Sequence, residues 1–155
     1  MEVSSFAQIE EEFMRRVQRT VWCTVATVDS RGRPRTRILH PVWEGTTGWI
    51  GSDPNSPKAK QIAANPYVSL SYWDQNHEQV YVDARAEWID GRAEQERIWN
   101  LFKSLPQPYG YDMGMIWQGG LDDPGFGVLK VTPWRIEMFS LQNMIGGEGP
   151  TVWRA

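Results

Sequence analysis

The sequence holds one cysteine, Cys23, and two histidines, His40 and His77, in 155 residues. A single thiol excludes an intramolecular disulfide. So few sulfur and imidazole ligands leave little from which to build a zinc site, and no metal centre is expected. Long apolar runs are also missing: none exceeds three residues, which excludes a transmembrane helix. Met1-Glu2-Val3 followed by Glu10-Glu11-Glu12 has neither the basic start nor the apolar middle of a secretion signal. A soluble cytoplasmic protein with no membrane partner is therefore the expectation. Positive charge is not in excess either. The 16 Lys and Arg against 19 Asp and Glu give a net charge of −3, which argues against a general nucleic-acid binder, whose affinity rests on neutralising phosphates. Repeats, low-complexity stretches and dividing linkers are absent, and residues 1–155 read as one domain.

What is abundant is tryptophan, nine in so short a chain. Burying an indole is costly unless its N–H finds a partner, so several are expected to line an interface or a pocket.

Phe6 to Arg19 reads as a helix, with Phe6, Ile9, Phe13 and Val17 on one face and Ser5 with Gln8 as a capping box. Val21–Val28 and Arg33–Trp43 read as a hairpin around Asp29-Ser30-Arg31-Gly32. Gly45-Thr46-Thr47-Gly48 is a turn before a short strand, Trp49–Ser52. Ser56-Pro57 opens a helix that Asn65-Pro66 stops. Tyr67–Trp73 and Gln79–Trp88 are strands, the second with Val80, Val82, Ala84, Ala86 and Trp88 alternating to one side. Ala93–Lys103 is helical. Residues 104–124 read as a long loop of the kind that carries function, Phe126–Val131 and Trp134–Leu141 as the last strands, and the tail from Gln142 as loose. Six or seven strands joined by hairpins, with three helices between them, predict a mainly β chain with α decoration: an antiparallel barrel.

Arg33, Arg35 and Arg37 fall on one face of their strand. Three like charges on one pleated face are either a solvated outer surface or a site for a phosphate, which arginine grips with a fork of donors. Lys58 and Lys60 in the first turn of the Ser56 helix are unfavourable beside the positive end of its dipole, and an anion there would resolve the conflict. Gln79 sits on the polar face of its strand, in contact with water or with a ligand. Cys23 lies beside Trp22 within a strand and reads as core, since no motif places His40 or His77 beside it as a base. Asp122-Asp123 reads as turn chemistry, and Gly146-Gly147-Glu148-Gly149 lacks the strand and helix of a nucleotide loop.

In this order, the spaced arginines, Gly51-Ser52, Ser56-Pro57-Lys58, Asn65-Pro66-Tyr67-Val68-Ser69-Leu70 and Gln79-Val80-Tyr81-Val82 resemble the pyridoxamine 5′-phosphate oxidase-like superfamily of flavin-binding proteins, which fold as a split β-barrel. Val128-Leu129-Lys130-Val131-Thr132-Pro133-Trp134-Arg135-Ile136-Glu137 is similar to the closing strands of its general-stress-protein branch, and the resemblance runs over about residues 6–141. It implies a homodimer with two flavin mononucleotide sites at the subunit interface. It also implies that Arg35 and Arg37 approach the phosphate with Lys58, that Ser52 and Ser56 supply hydroxyl or backbone contacts, and that Gln79 lies near the cofactor. Trp117 falls where the partner subunit reaches over the flavin, and Ile38 and Gly51 complete the implied cofactor-binding set.

Pro57 stands where the oxidase usually has arginine, and Leu141-Gln142-Asn143-Met144-Ile145 does not match the Arg-x-His-Asp-Arg stretch that holds the oxidase's substrate phosphate. The expectation is thus an oxidoreductase acting on another small molecule, with no catalytic residue assigned. A deazaflavin enzyme of the same fold, or a non-catalytic flavin or haem sensor or store, are the alternatives.

Overall fold

The computed structural model describes residues 1–155 and contains nine strands and four α-helices. A two-residue strand β1 (Glu2–Val3) leads to a 3-10 turn over Phe6–Gln8 and then to α1 (Glu10–Thr20). The capping box forms: Gln8 Oε1 accepts from the Ser4 and Ser5 amides at 2.9 and 3.1 Å. The single helix expected over Phe6–Arg19 is instead two pieces joined at Ile9, which leaves the helical region at φ −121° and ψ −6°. Ile9, Phe13 and Val17 still share the buried side. Val21 ends α1 at φ +68°, a rare conformation for a β-branched residue, with its amide bonded to the Val17 carbonyl at 2.8 Å.

Strands β2 (Cys23–Val28) and β3 (Pro34–Leu39) form the expected hairpin, its turn held by Asp29 Oδ1 accepting from the amides of Arg31 and Arg33. The longer strand expected to run on to Trp43 breaks at His40-Pro41, where proline supplies no ladder donor, and resumes as β4 (Val42–Glu44). Then come β5 (Thr47–Ser52), α2 (Pro57–Ala64), β6 (Tyr67–Trp73), β7 (Glu78–Trp88) and α3 (Arg92–Ser104), followed by two 3-10 turns, Met113–Met115 and Gly120–Asp122. Strand β8 (Gly127–Ser140), helix α4 (Leu141–Ile145) and β9 (Thr151–Arg154) complete the chain.

The sheet runs β1-β9-β8-β7-β6-β2-β3, and β5 pairs with the first half of β8 and carries β4 on its other side. β3 and β4 do not pair, so the barrel is split. The two final strands expected at Phe126–Val131 and Trp134–Leu141 are one. Pro133 stays in the ladder opposite Ala84, and the register steps to Arg135 opposite Asp83, so the expected break is a bulge at Trp134. The tail expected to be loose is α4 and β9. Its short strand gains definition only from pairing antiparallel to β8 and parallel to the N-terminal β1.

Two apolar clusters fill the structure. The larger packs α1 against the barrel interior, and there Trp43 Nε1 donates to the Tyr72 hydroxyl at 2.9 Å. Cys23 belongs to it, as expected of a core residue, and burial pushes its thiol up to about 12. The smaller cluster sits under α3 and is built largely from the long loop: Tyr109, Met113 and Trp117 fold back onto Ile98, Phe102 and Val128.

Candidate functional site

Arg37 pairs across the hairpin with Val25, a core residue, so its side chain projects to the inward side of β3 where α2 covers β2. Its Nη1 donates to the Val25 carbonyl at 3.1 Å and to Thr27 Oγ1 at 2.7 Å, and Nη2 donates to Gln61 Oε1 of α2 at 3.2 Å. Thr27 Oγ1 also donates to Gln61 Oε1, at 2.5 Å. Every acceptor around this guanidinium is neutral. The three arginines of the strand thus part company: Arg33 pairs with Asp29 at 2.8 Å, Arg35 is exposed, and Arg37 is half-buried without a carboxylate.

Lys58 stands beside it at the start of α2. Its Nζ donates to Ser56 Oγ at 2.9 Å, and Ser56 Oγ donates in turn to the Asp53 carbonyl at 2.7 Å. The Ser56 side chain therefore does not cap α2; Pro57 has no N–H, the Ala59 amide donates to the Ser56 carbonyl at 3.0 Å, and the Lys58 amide is left to meet a ligand. Arg37, Ser56, Pro57 and Lys58 line a cavity of about 240 Å³. Burial, then the Arg35 charge, hold Arg37 below its ordinary pKa; burial, then the Arg37 charge, do the same to Lys58, with Asp53 opposing in part. Two cations set against each other at a helix N-terminus could hold a doubly charged anion such as a phosphate monoester. Lys60 opens instead into a neighbouring cavity with Asp29, Asn55 and Gln61.

Gly51 and Ser52 end β5 just before the loop to α2, and Ser52 is buried. A Cβ on Gly51 would lie 2.8 Å from Met113 Cε and 3.1 Å from the Trp117 ring, so glycine is what lets the long loop close on this strand. Trp117 is itself buried, packs edge-on to Phe126, and donates from Nε1 to the Gly125 carbonyl at 2.7 Å. It forms a wall behind Gly51, and the structure does not bring it to the Arg37–Lys58 cavity.

Ile38 and Gln79 lie on the opposite, open face of the sheet. Ile38, Thr24, Ser71 and Tyr81 form one row across β3, β2, β6 and β7, with Trp73 and Gln79 in the next. Gln79 Oε1 accepts from the Tyr81 hydroxyl at 2.7 Å. Ile38, Tyr67 and Trp73 are each more than half exposed on this face. Sequence reasoning missed Thr27 and Gln61, which orient Arg37. Gln61 is three residues beyond Lys58 and so shares its side of α2, which was the available signal.

Comparison with known proteins adds kinship to this geometry. A family described as pyridoxamine 5′-phosphate oxidase matches residues 9–140. A Paraburkholderia phytofirmans pyridoxine/pyridoxamine 5′-phosphate oxidase is 44% identical over 64 residues, which is 40% of this chain and 30% of that protein. The Bacteroides thetaiotaomicron protein of the same name is 28% identical over 154 aligned positions, covering 84% of this chain and 72% of its own. The chain thus spans well under half the length of the first of these. Among solved structures, a Clostridium acetobutylicum protein related to general stress protein 26 superposes with a TM-score of 0.76 at 15% identity, over 95% of this chain and 94% of its own. A Nostoc punctiforme FMN-binding protein related to pyridoxamine 5′-phosphate oxidase gives 0.63 at 19% identity, over 90% and 86%. An F420 reductase gives 0.57 at 17%, over 79% and 93%. At these identities the structures speak for the fold.

Proposed function

The chain belongs to the pyridoxamine 5′-phosphate oxidase family, and from that premise we propose that it is a flavin mononucleotide-binding oxidoreductase, acting on a small organic molecule as a homodimer. The observation that carries this reading is the paired, carboxylate-free Arg37 and Lys58 at the uncapped start of α2. These residues fit a terminal phosphate: the guanidinium offers directed donors, the ammonium a mobile charge, and the Lys58 amide at the positive end of α2 adds to the cradle. Thr27 and Gln61 hold the guanidinium in place before a ligand arrives, which lowers the ordering cost of binding. When bound, the flavin supplies the hydride chemistry, and the protein contributes position and electrostatics.

The homodimer is supported by the open face of β3, β2, β6 and β7. Ile38, Tyr67 and Trp73 stand there over a low floor of Thr24, Ala26, Ser69 and Ser71, a shape that suits a packed interface. The same face carries charges of both signs, Arg135 bonded to Asp83 and Glu137 within the chain, so it meets a second copy without a like-charge penalty. Edge strand β3 presents Arg37 to the cavity and Ile38 to this face, which puts the cation pair at the border of the proposed interface.

The test is titration of the cofactor-free protein with flavin mononucleotide and with riboflavin, which lacks the phosphate. Tight binding of the first, and its loss by about 100-fold in an Arg37→Ala, Lys58→Ala double variant with riboflavin little changed, is the expected result. Equal affinities for the two flavins would refute the phosphate site. A deazaflavin is the second reading, supported by the structural likeness to the F420 reductase. Competition between the two cofactors, followed by their absorption spectra, separates them.

A further inference from the structure

One residue past the end of β3, the imidazole of His40 is walled by the rings of Trp22, Tyr111 and Phe102, with centroids 5.7, 4.8 and 6.1 Å away. Its Nε2 lies 2.6 Å from the Tyr109 carbonyl oxygen. A carbonyl only accepts, so Nε2 carries the proton, and burial holds the ring below its ordinary pKa, which keeps it neutral. That tautomer leaves Nδ1 as a hydrogen-bond acceptor to which no group of the chain donates. Nδ1 is also not sealed off: the one buried side-chain nitrogen or oxygen without a partner is Trp88 Nε1.

His40 opens onto a cavity of about 400 Å³, within the size range of small-molecule sites, which it shares with Trp22, Gln107, Tyr111, Met115 and Ile116. No Lys, Arg, Asp or Glu lines it. Trp22, Met115 and Ile116 keep 53%, 75% and 61% of their surface exposed around the rim, a cost in unburied apolar area that an occupant would remove. Aromatic faces and a thioether favour a flat π-system, and the absence of a countercharge disfavours an anion, whose water would be lost without compensation. One open acceptor calls for one donor.

We infer that this cavity binds an uncharged, planar aromatic molecule carrying a single hydroxyl or N–H donor, with the donor on His40 Nδ1 and the ring among Trp22, Tyr111 and Met115. His40 lies three residues beyond Arg37, about 10 Å along an extended chain, so the occupant would neighbour a ligand anchored at Lys58. As the substrate class of the proposed oxidoreductase this rests on that reading; as a binding site it does not.

The experiment is a fluorescence titration of the cofactor-free protein with 2-naphthol, beside naphthalene and 2-naphthyl phosphate followed by displacement. Saturable binding of 2-naphthol, with both competitors at least tenfold weaker, is the result expected. His40→Phe should erase the preference for naphthol over naphthalene. Met115→Glu, a change on the exposed rim that does not threaten the fold, should weaken naphthol at least tenfold. Absent naphthol binding, equal affinity for naphthalene, tighter binding of the phosphate ester, or indifference to Met115→Glu would overturn the site. A separate flavin mononucleotide titration of the same sample shows whether the cofactor reading stands or falls independently.

Discussion

The Nη2 of Arg37 donates to Gln61 Oε1 at 3.2 Å, so the half-buried cation of β3 is held from α2 by an amide and not by a carboxylate. An amide orients a guanidinium without neutralising it, and so leaves its charge for a ligand. Gln61→Glu keeps the size and the acceptor but adds the missing charge. The variant should be more stable than the parent without ligand by about 1 kcal/mol, as a partly buried ion pair forms, and should bind flavin mononucleotide at least tenfold more weakly. Thermal melts with and without the cofactor check both halves. A variant that gained stability and kept its affinity would show that Arg37 does not serve the phosphate.

Ile38 and Trp73 stand in two rows of the same open sheet face and stay more than half exposed, Trp73 with only the edge of His77 against its ring. Ile38→Asp and Trp73→Asp place charge there without disturbing the core behind. Sedimentation should give the proposed dimer for the parent and a monomer for each variant, with far-ultraviolet circular dichroism unchanged; a monomeric parent would overturn the proposed interface. Because Arg37 lies on the other side of β3, a monomeric Ile38→Asp variant also asks how much flavin affinity depends on the second subunit.

Much of this was legible from the sequence, and the reasons differ by element. β6, β7 and α2 could be placed because each carries its own punctuation: Asn65-Pro66 between helix and strand, strict alternation from Val80 to Ala86, serine and proline at a helix start. Arg37 and Lys58 could be matched because like charges on a strand face and at a helix N-terminus are each locally unfavourable. β9 could not be found, since a four-residue strand is defined by its neighbours β8 and β1 and not by its own pattern. Nor could the burial of Trp117, which depends on a glycine, Gly51, some sixty residues earlier in the chain.

That dependence is itself testable. With 2.8 Å to Met113 Cε and 3.1 Å to Trp117, an added Cβ at Gly51 forces the wall of the second core cluster outwards. Gly51→Ala should lower stability by about 1–3 kcal/mol in urea unfolding, the range for overpacking a filled core. Trimming the obstruction in a Gly51→Ala, Met113→Ala double variant removes the clash but opens a cavity, so the two changes should be clearly non-additive. Additive losses would mean that the long loop is not packed on β5 as described.

Acid should reveal two separate windows. Glu12 is held down at about 2, chiefly by its hydrogen bond from Arg15 and then by Arg16, against a desolvation penalty that opposes both. A carboxylate depressed in the folded state contributes stability that is complete above its unfolded value near 4.5 and lost as pH falls towards 2. Glu12 is more than a third exposed, so solvent screening reduces the effect to about 1 kcal/mol. His40 acts in a different range with the same sign: its neutral form is the one favoured by burial, so folding loses stability as pH falls below its unfolded value of 6.5 and the loss levels off below its depressed folded value. Urea unfolding from pH 7.5 to 3 should therefore show Glu12→Gln flattening the curve only below about 4.5, where unfolded glutamates begin to protonate. His40→Gln should flatten it only in the higher window. Arg16 decides whether the Glu12 effect is structural as well as electrostatic. Its guanidinium reaches past Glu12 to the carbonyls of Gln79 and Phe139 at 3.0 and 2.7 Å, tying α1 to the ends of β7 and β8. Glu12→Gln should itself cost that roughly 1 kcal/mol at pH 7.5, where the carboxylate's contribution is complete; a clearly larger loss there means that the carboxylate also holds the tie in place, and a loss no larger means that the two carbonyls hold Arg16 unaided.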